Sequence, residues 1–555
     1  VNFLRSLLPG KDDLTAYRRS PGRDLIAGVT VAIVALPLAL AFGVASGLGA
    51  EAGIATAIVA GAIAAVFGGS NLQVSGPTGA MTVILVPVVH RFGVDGVLQV
   101  GLMAGVVLMV LAVTGLGRSV RLLPTSLVEG FTAGIAVVIV LQQVPNLLGV
   151  EPSDEEQVLA LAWQAVLDFV ANPDPWPLLI SAVVAAAILA GARWKPALPV
   201  SLAVVVLATV GVVLTGVPLP VIGELPRTLA TPSLDFFDVG RIGVLLPSAI
   251  AVAALAALES LLCATVADGM SVGERHNPDR ELFGQSLANL AVPLFGGVPA
   301  TAAIARTAVN VRSGARSRLA ALSHSVFLLL IILVAAPAVG AVPLAALAGV
   351  LLATCVQMVD VGELRALVRS TRSDGIVLVL TFVLTVAVDL ITAVVVGLVV
   401  AALLALRQVS RSATLEQVPL ETGLIRTASA GAIDSDEAWR QERELLTQHI
   451  VAYRFDGPLF FGAAHRFLKE LTEVADVRVI ILRLSRLSTL DATGATMLDD
   501  AIVHLERRGI VVLLSGIKPG HDELLHRLGV AEQLRERGRV FPDTPHAIAY
   551  ARTLI

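Results

Sequence analysis

Over the first 406 positions the chain is a succession of apolar runs, separated by short stretches rich in charge, glycine or proline. The runs cover roughly 25–45, 52–68, 77–90, 97–116, 127–148, 177–192 and 199–216, then 243–264, 284–295, 299–311, 319–336, 342–358, 374–388 and 390–406. Runs of this kind predict helices that cross a bilayer, which takes about 20 apolar residues for some 30 Å of hydrocarbon. Several fall short of that length, among them those at 77–90, 284–295 and 299–311. In lipid, an interrupted helix survives only where protein or a watery cavity satisfies its free backbone groups.

Two of the three shortest runs follow matching breaks. One is Gly68-Gly69-Ser70-Asn71-Leu72-Gln73-Val74-Ser75-Gly76-Pro77-Thr78-Gly79-Ala80, and the other is Phe295-Gly296-Gly297-Val298-Pro299-Ala300-Thr301-Ala302-Ala303-Ile304-Ala305-Arg306. Pro77 and Pro299 lie 222 residues apart, and the runs starting near Leu25 and Pro247 share that offset. Paired glycine- and proline-broken segments in two halves of a chain point to a transporter site near the bilayer midplane. Each break predicts a fresh helix whose first N–H groups attract an anion. The small side chains of Ala300 to Ala303 leave those groups approachable. Arg306 adds a charge at membrane depth, where an ionisable residue is a functional candidate. The bland alternative is an arginine that snorkels to the surface or pairs structurally.

Composition and charge set the topology. Of 555 residues, 55% are hydrophobic and 15% charged, which predicts a polytopic membrane protein. A net charge of −4 gives no reason to expect a nucleic-acid partner. The only cysteines, Cys263 and Cys355, both sit in apolar runs, so no disulfide framework or metal cluster is expected. Residues 1–24 carry Arg5, Lys11, Arg18, Arg19 and Arg23 without a secretory apolar core, and are expected to stay cytoplasmic as the start of the mature fold. Further basic clusters fall at Arg118/Arg121, Arg193/Lys195, Arg275/Arg280, Arg312/Arg316/Arg318, Arg365/Arg369/Arg372 and Arg407/Arg411. Intervening loops are poor in lysine and arginine, and the one at 150–175 is acidic; Arg91, Arg227 and Arg241 are exceptions. This alternation predicts fourteen spans with both termini inside, as seven plus seven in an inverted repeat.

Beyond Arg411 the pattern changes. Residues 409–448 read as a polar linker with a helix near 436–447, and 449–555 as a small soluble α/β domain. Expected there are strands at 450–455, 477–484 and 510–515, with helices at 462–474, 491–507 and 518–528.

Glu259 is the second ionisable group inside an apolar run. Burial favours its neutral form and a nearby arginine its charged form, so a balance near neutral pH would let it carry a proton. A permanent Glu259–Arg306 bridge is the structural alternative. Asp268 and Asp389 read as helix ends near water, Gln142, Gln143 and Gln357 as helix–helix hydrogen bonds, and His90 and His324 as interfacial. No G-x-x-x-x-G-K-[ST], H-E-x-x-H or G-x-S-x-G pattern was found, which argues against an ATP-driven pump, a metalloprotease or a lipid hydrolase. Neither an enzyme nor a cofactor is expected.

Taken together, Pro37-Leu38-Ala39-Leu40-Ala41-Phe42, Val74-Ser75-Gly76-Pro77, Leu258-Glu259-Ser260 and the Arg306 segment resemble the SulP family of sulfate permeases and anion exchangers. Leu490-Asp491-Ala492-Thr493-Gly494 resembles the loop-to-helix signature of a STAS domain, the soluble module of that family. The resemblance implies an all-α membrane region, 25–408, in core and gate domains, with the STAS domain at 449–555. It also implies a homodimer whose core moves like an elevator. The anion would sit between the half-helices after the two breaks. Phe42, Thr78, Gly79, Thr301, Ala302, Ala303 and Arg306 form the expected binding set, with Glu259 as the proton-coupling carboxylate. Leu38 replaces a glutamine common in the family. Sodium-driven bicarbonate members carry Asp and Thr where this chain has Glu259 and Cys263, and their Gly-Ala-Thr run aligns with Ala302-Ala303-Ile304. Protons rather than sodium are therefore expected to drive transport. Thr493 keeps a hydroxyl where related soluble domains are phosphorylated, but is read in preference as an ordinary helix-start residue.

The expectation is a multi-pass cell-membrane secondary transporter of small anions, sulfate first, with bicarbonate or a C4-dicarboxylate as the alternative cargo. A sodium- or exchange-coupled carrier, a passive anion channel, a STAS-bearing scaffold for a cytoplasmic protein and, more weakly, a nucleobase permease are rival readings.

Overall fold

The computed structural model of the chain describes residues 5–10, 15, 20–118, 124–153, 157–194, 200–271, 275–412, 414–418, 449–460 and 477–555. The chain divides into two compact units, Val1–Val399 and Val400–Ile555. The expected helices at 436–447 and 462–474, with Lys11, Arg18, Arg19, Arg121 and Lys195, lie outside the described residues.

The first unit is almost wholly helical. In its first half, α1 (Pro21–Ala45), α2 (Ala50–Phe67), α3 (Gly79–Thr114), α4 (Thr125–Leu148), α5 (Val158–Ala171), α6 (Pro175–Trp194) and α7 (Val200–Thr215) follow one another, with strand β1 (Ser75–Gly76) before α3. The second half runs through α8 (Ile242–Met270), α9 (Pro278–Ala291), β2 (Thr301–Ala302), α10 (Ile304–Arg312), α11 (Leu319–Gly340), α12 (Leu344–Met358), α13 (Val361–Ser370), α14 (Arg372–Ala387) and α15 (Leu390–Ser412). Among the described residues, nine helical stretches are long and apolar enough to cross a bilayer. The runs at 77–90 and 97–116 merge in α3, broken only at Gly93, whose φ of 69° and ψ of −169° leave the helical region.

Charged groups expected at the surface instead tie the halves together. Asp24 is fully buried and accepts from the Arg316 amide at 2.7 Å and the Ser317 hydroxyl at 2.6 Å. Arg318, 3% exposed, donates to Asn71 Oδ1 at 2.8 Å and to the Gly68 carbonyl. His324, expected at an interface, is completely buried in α11, beside Ser325, whose hydroxyl occupies the space that Gly61 of α2 leaves open.

Local chemistry moves several boundaries. The run expected at 284–295 belongs to a helix that starts at Pro278, because the Asn277 side chain caps it by accepting from the Asp279 and Arg280 amides at 3.1 and 3.2 Å. That helix, α9, turns Asp279 and Glu281 inward and ends in a 3-10 turn at Val292–Phe295, closed by Gly296 at φ 72°. Two further helices, α5 and α13, occupy stretches read as loops; Asp360 caps α13 through the Gly362 and Glu363 amides.

In the second unit, one sheet has the strand order β3 (Thr414–Val418), β4 (Ile450–Leu459), β5 (Val479–Leu490), β6 (Val511–Ser515) and β7 (Val540–Phe541). The β3–β4 pair is antiparallel and the others are parallel. Helices α16 (Ala492–Arg507), α17 (Pro519–Arg527), α18 (Glu532–Glu536) and α19 (Thr544–Arg552) complete it. Ile480, Leu482 and Leu514 pack in one core while Ile481 and Leu513 pack with α19 in another, so the parallel strands are apolar on both faces. Strand β3 falls within the stretch expected as linker, and β7, α18 and α19 lie beyond the last expected helix. The Asp491 side chain caps α16 by accepting from the Gly494 amide at 2.7 Å, leaving Thr493 exposed beside it.

Candidate functional site at the crossing of two broken helices

The two breaks meet. β1 and β2 pair antiparallel, with Ser75 opposite Ala302 and Gly76 opposite Thr301. The pairing is extended by the Ala303 amide, which donates to the Val74 carbonyl at 3.0 Å, and by the Val74 amide, which donates to Thr307 Oγ1 at 3.0 Å. This short ladder satisfies backbone groups that a broken helix leaves bare inside a membrane.

Buried polar side chains on neighbouring helices hold it from behind. Asn289 of α9 accepts from the Ala300 amide at 2.8 Å and donates to the Ala300 carbonyl at 2.9 Å. Thr56 of α2 donates to the Val298 carbonyl at 3.0 Å, and Asn310 of α10 to the Leu72 carbonyl at 2.7 Å. Gln285 donates to Ser75 Oγ at 2.7 Å and to Glu281 Oε1 at 3.1 Å. Glu281 also accepts from Gln73 and from the Gly69 and Ser70 amides. Sequence reasoning missed Asn289, Gln285, Glu281 and Thr56. The available signal was a helix carrying Asp, Glu, Gln and Asn between two strongly apolar neighbours.

From the crossing, α3 and α10 set out with uncapped starts. Thr78 (φ −130°, ψ 161°) and Ala303 (φ −109°, ψ 114°) occupy the capping positions in extended conformation, and neither side chain caps the amides that follow. Such N–H groups carry the positive end of the helix dipole. Both helix starts therefore contribute partial positive charge to one place.

Arg306, 1% exposed, turns inward and donates to the Pro77 carbonyl. Gly76 is what allows this, since a Cβ there would collide with the guanidinium. Nε and Nη1 of Arg306 are buried without a hydrogen-bond partner among the described residues, so the cation keeps donor capacity at the crossing. The Glu259–Arg306 bridge considered from sequence does not form: Glu259 accepts instead from the Thr78 hydroxyl at 3.0 Å. Thr301 shares a 2.9 Å hydrogen bond with Ser260, and Ala302 donates its amide to Ser260 Oγ at 3.3 Å.

Phe42 of α1 is 5% exposed and packs over the start of α3, where a Cβ on Gly79 would lie 3.2 Å from its ring. The fold thus gathers Phe42, Thr78, Gly79, Glu259, Thr301, Ala302, Ala303 and Arg306 around one crossing. Ala303 is half-buried, while Ile304 (47%) and Ala305 are exposed, so the crossing is open at the first turn of α10. A polarised opening of this kind can hold an anion by backbone N–H groups, with a permanent cation behind them.

Known proteins share this architecture. The model of the sulfate permease family matches residues 22–381, and that of the STAS domain matches residues 445–547. A putative sulfate transporter, YvdB, of Bacillus subtilis (strain 168) is 32% identical over 92% of this chain and 94% of its own length. The bicarbonate transporter BicA of Synechocystis sp. is 31% identical over 91% of this chain and 90% of its own length. The structure of the murine solute carrier 26 family member A9 anion transporter, in the inward-facing state, superposes with a TM-score of 0.83 at 19% identity. It covers 100% of this chain and 95% of its own.

Proposed function

The chain belongs to the sulfate permease family of anion transporters, and from that premise we propose a secondary active transporter of small anions, sulfate first, driven by protons. The carrying observation is the pairing of β1 with β2, which sets two uncapped helix starts and the buried Arg306 around one opening. An anion there exchanges part of its hydration for fixed N–H dipoles, and Arg306 lowers the electrostatic cost of placing its charge at membrane depth. Phe42 closes the apolar side. Glu259 carries the coupling proton: it holds the start of α3 through Thr78, so its charge state acts directly on one arm of the site.

The carrier works by movement of a core domain against a gate domain. It crosses the cell membrane fourteen times, has both termini in the cytoplasm and acts as a homodimer. Bicarbonate is the second cargo, favoured by a similarity to BicA that spans nearly as much of the chain as the match to YvdB.

Uptake of radiolabelled sulfate, bicarbonate, fumarate and succinate into proteoliposomes, under imposed proton or sodium gradients, tests the reading. Sulfate accumulation driven by a proton gradient and abolished in Arg306→Gln is expected. Accumulation only of bicarbonate under a sodium gradient would replace it with the second reading, and passive, non-saturating flux with a channel. In Glu259→Gln, gradient-driven accumulation should vanish while exchange of internal for external anion persists.

A further inference from the structure

Two consecutive residues of one helix hold both arms of the crossing. Successive residues of an α-helix point about 100° apart, so neighbours serve different partners. On α8, Glu259 binds Thr78, the residue that opens α3, and Ser260 binds Thr301 and Ala302, the strand that leads into α10. Ser260 is completely buried and so is Thr301.

The direction of the Ser260 hydrogen bonds follows from its end groups. The Ala302 amide can only donate, and it donates to Ser260 Oγ at 3.3 Å. The Ala256 carbonyl can only accept, and it accepts from Thr301 Oγ1 at 3.3 Å. The 2.9 Å contact between the hydroxyls must then run from Ser260 to Thr301. The result is a one-way chain from the Ala302 amide through Ser260 and Thr301 to the Ala256 carbonyl. Removing the serine oxygen leaves a buried N–H unpaired four residues before Arg306 and takes from the Thr301 oxygen the bond it accepts, leaving Thr301 tied only to the Ala256 carbonyl.

We infer that Ser260 is a positioning residue for anion binding: it sets the placement of Thr301–Ala303, and with it the open first turn of α10. This rests on the anion-site reading above. One turn further along the same helix, Cys263 Sγ donates to Thr307 Oγ1 at 3.1 Å, so α8 holds the chain on both sides of Arg306, at β2 and within α10. That second grip supplies a reporter. Cys263 and Cys355 are the chain's only cysteines and both are buried.

The test compares wild type, Ser260→Ala and Ser260→Thr in proteoliposomes, reading KM and maximal rate for labelled sulfate and bicarbonate. In parallel, the alkylation rate of Cys263 is followed in a Cys355→Ala background. Ser260→Ala is expected to raise KM about tenfold, the scale of leaving one buried donor unpaired, with maximal rate within about twofold. Cys263 alkylation should speed up, and Ser260→Thr should restore both readouts. Should Ser260→Ala not yield folded protein, Thr301→Val removes the partner hydroxyl at constant shape and should raise KM likewise. An unchanged KM in either folded variant, equal damage in the alanine and threonine variants, or a fall in maximal rate alone would overturn the assignment. If wild type moves none of the anions, the transport reading fails while the alkylation comparison still decides whether Ser260 places α10.

Discussion

Arg306 shows what a residue can and cannot announce in sequence. A permanent cation within an apolar stretch was legible as a functional candidate, because burying it needs a reason. Its partner was not, since the guanidinium meets a backbone carbonyl, that of Pro77, at a spot opened by the missing side chain of Gly76. Glu259 was legible for the same reason as Arg306. Its partner is a hydroxyl across the crossing rather than the arginine, which no sequence spacing encodes. Gly76→Ala should therefore act through Arg306. A methyl group forced into that contact is expected to cost about 1–3 kcal/mol and to lower uptake, read as a drop in thermal unfolding temperature in detergent and a loss of flux. An Arg306→Gln, Gly76→Ala double variant should lose little further stability than Arg306→Gln alone, because the colliding group is gone.

At the scale of elements, apolar length alone marked most helices, and paired glycines and prolines marked both breaks. Length marked only the second half of α9, from residue 284. Its first turn carries Asp279 and Glu281, so that start reads as loop although both groups are buried. The helix α5 escaped because its 14 residues fall short of a span and follow an acidic stretch, and α13 because its charged face broke the apolar runs used to find helices. The soluble sheet was legible from its apolar strands, whereas β3 was not, because an edge strand of alternating polarity resembles a linker. Asn289 gives the prediction that belongs here. Asn289→Ala would strand both the amide and the carbonyl of Ala300, at a cost of about 2–4 kcal/mol. Thermal melts should show the full loss, and Asn289→Asp, which keeps only the acceptor, should recover part of it.

For the molecule as a whole, every residue of the candidate site falls within the first unit, Val1–Val399. Deleting residues 413–555 should then leave KM for the transported anion within about twofold of the full chain, since KM follows the pocket's own contacts. A change of tenfold or more would mean that the STAS domain helps to shape the site. The pattern of two halves offset by 222 residues proved the most informative whole-chain signal, because it predicted a meeting of the breaks that β1 and β2 then display. Cargo is the least legible property, since the proposed contacts, backbone amides and one guanidinium, would recognise charge before chemistry. The central claim is that an anion rests at the open start of α10. It is tested most directly by alkylating the Ala303→Cys variant with a membrane-impermeant thiol reagent, with and without a transported anion; the buried Cys263 and Cys355 make wild type the blank. A transported anion should slow that alkylation about twofold at a concentration near its KM for uptake, and at least about fivefold at four times that concentration and above. Equal rates at saturating anion would contradict a site at this crossing.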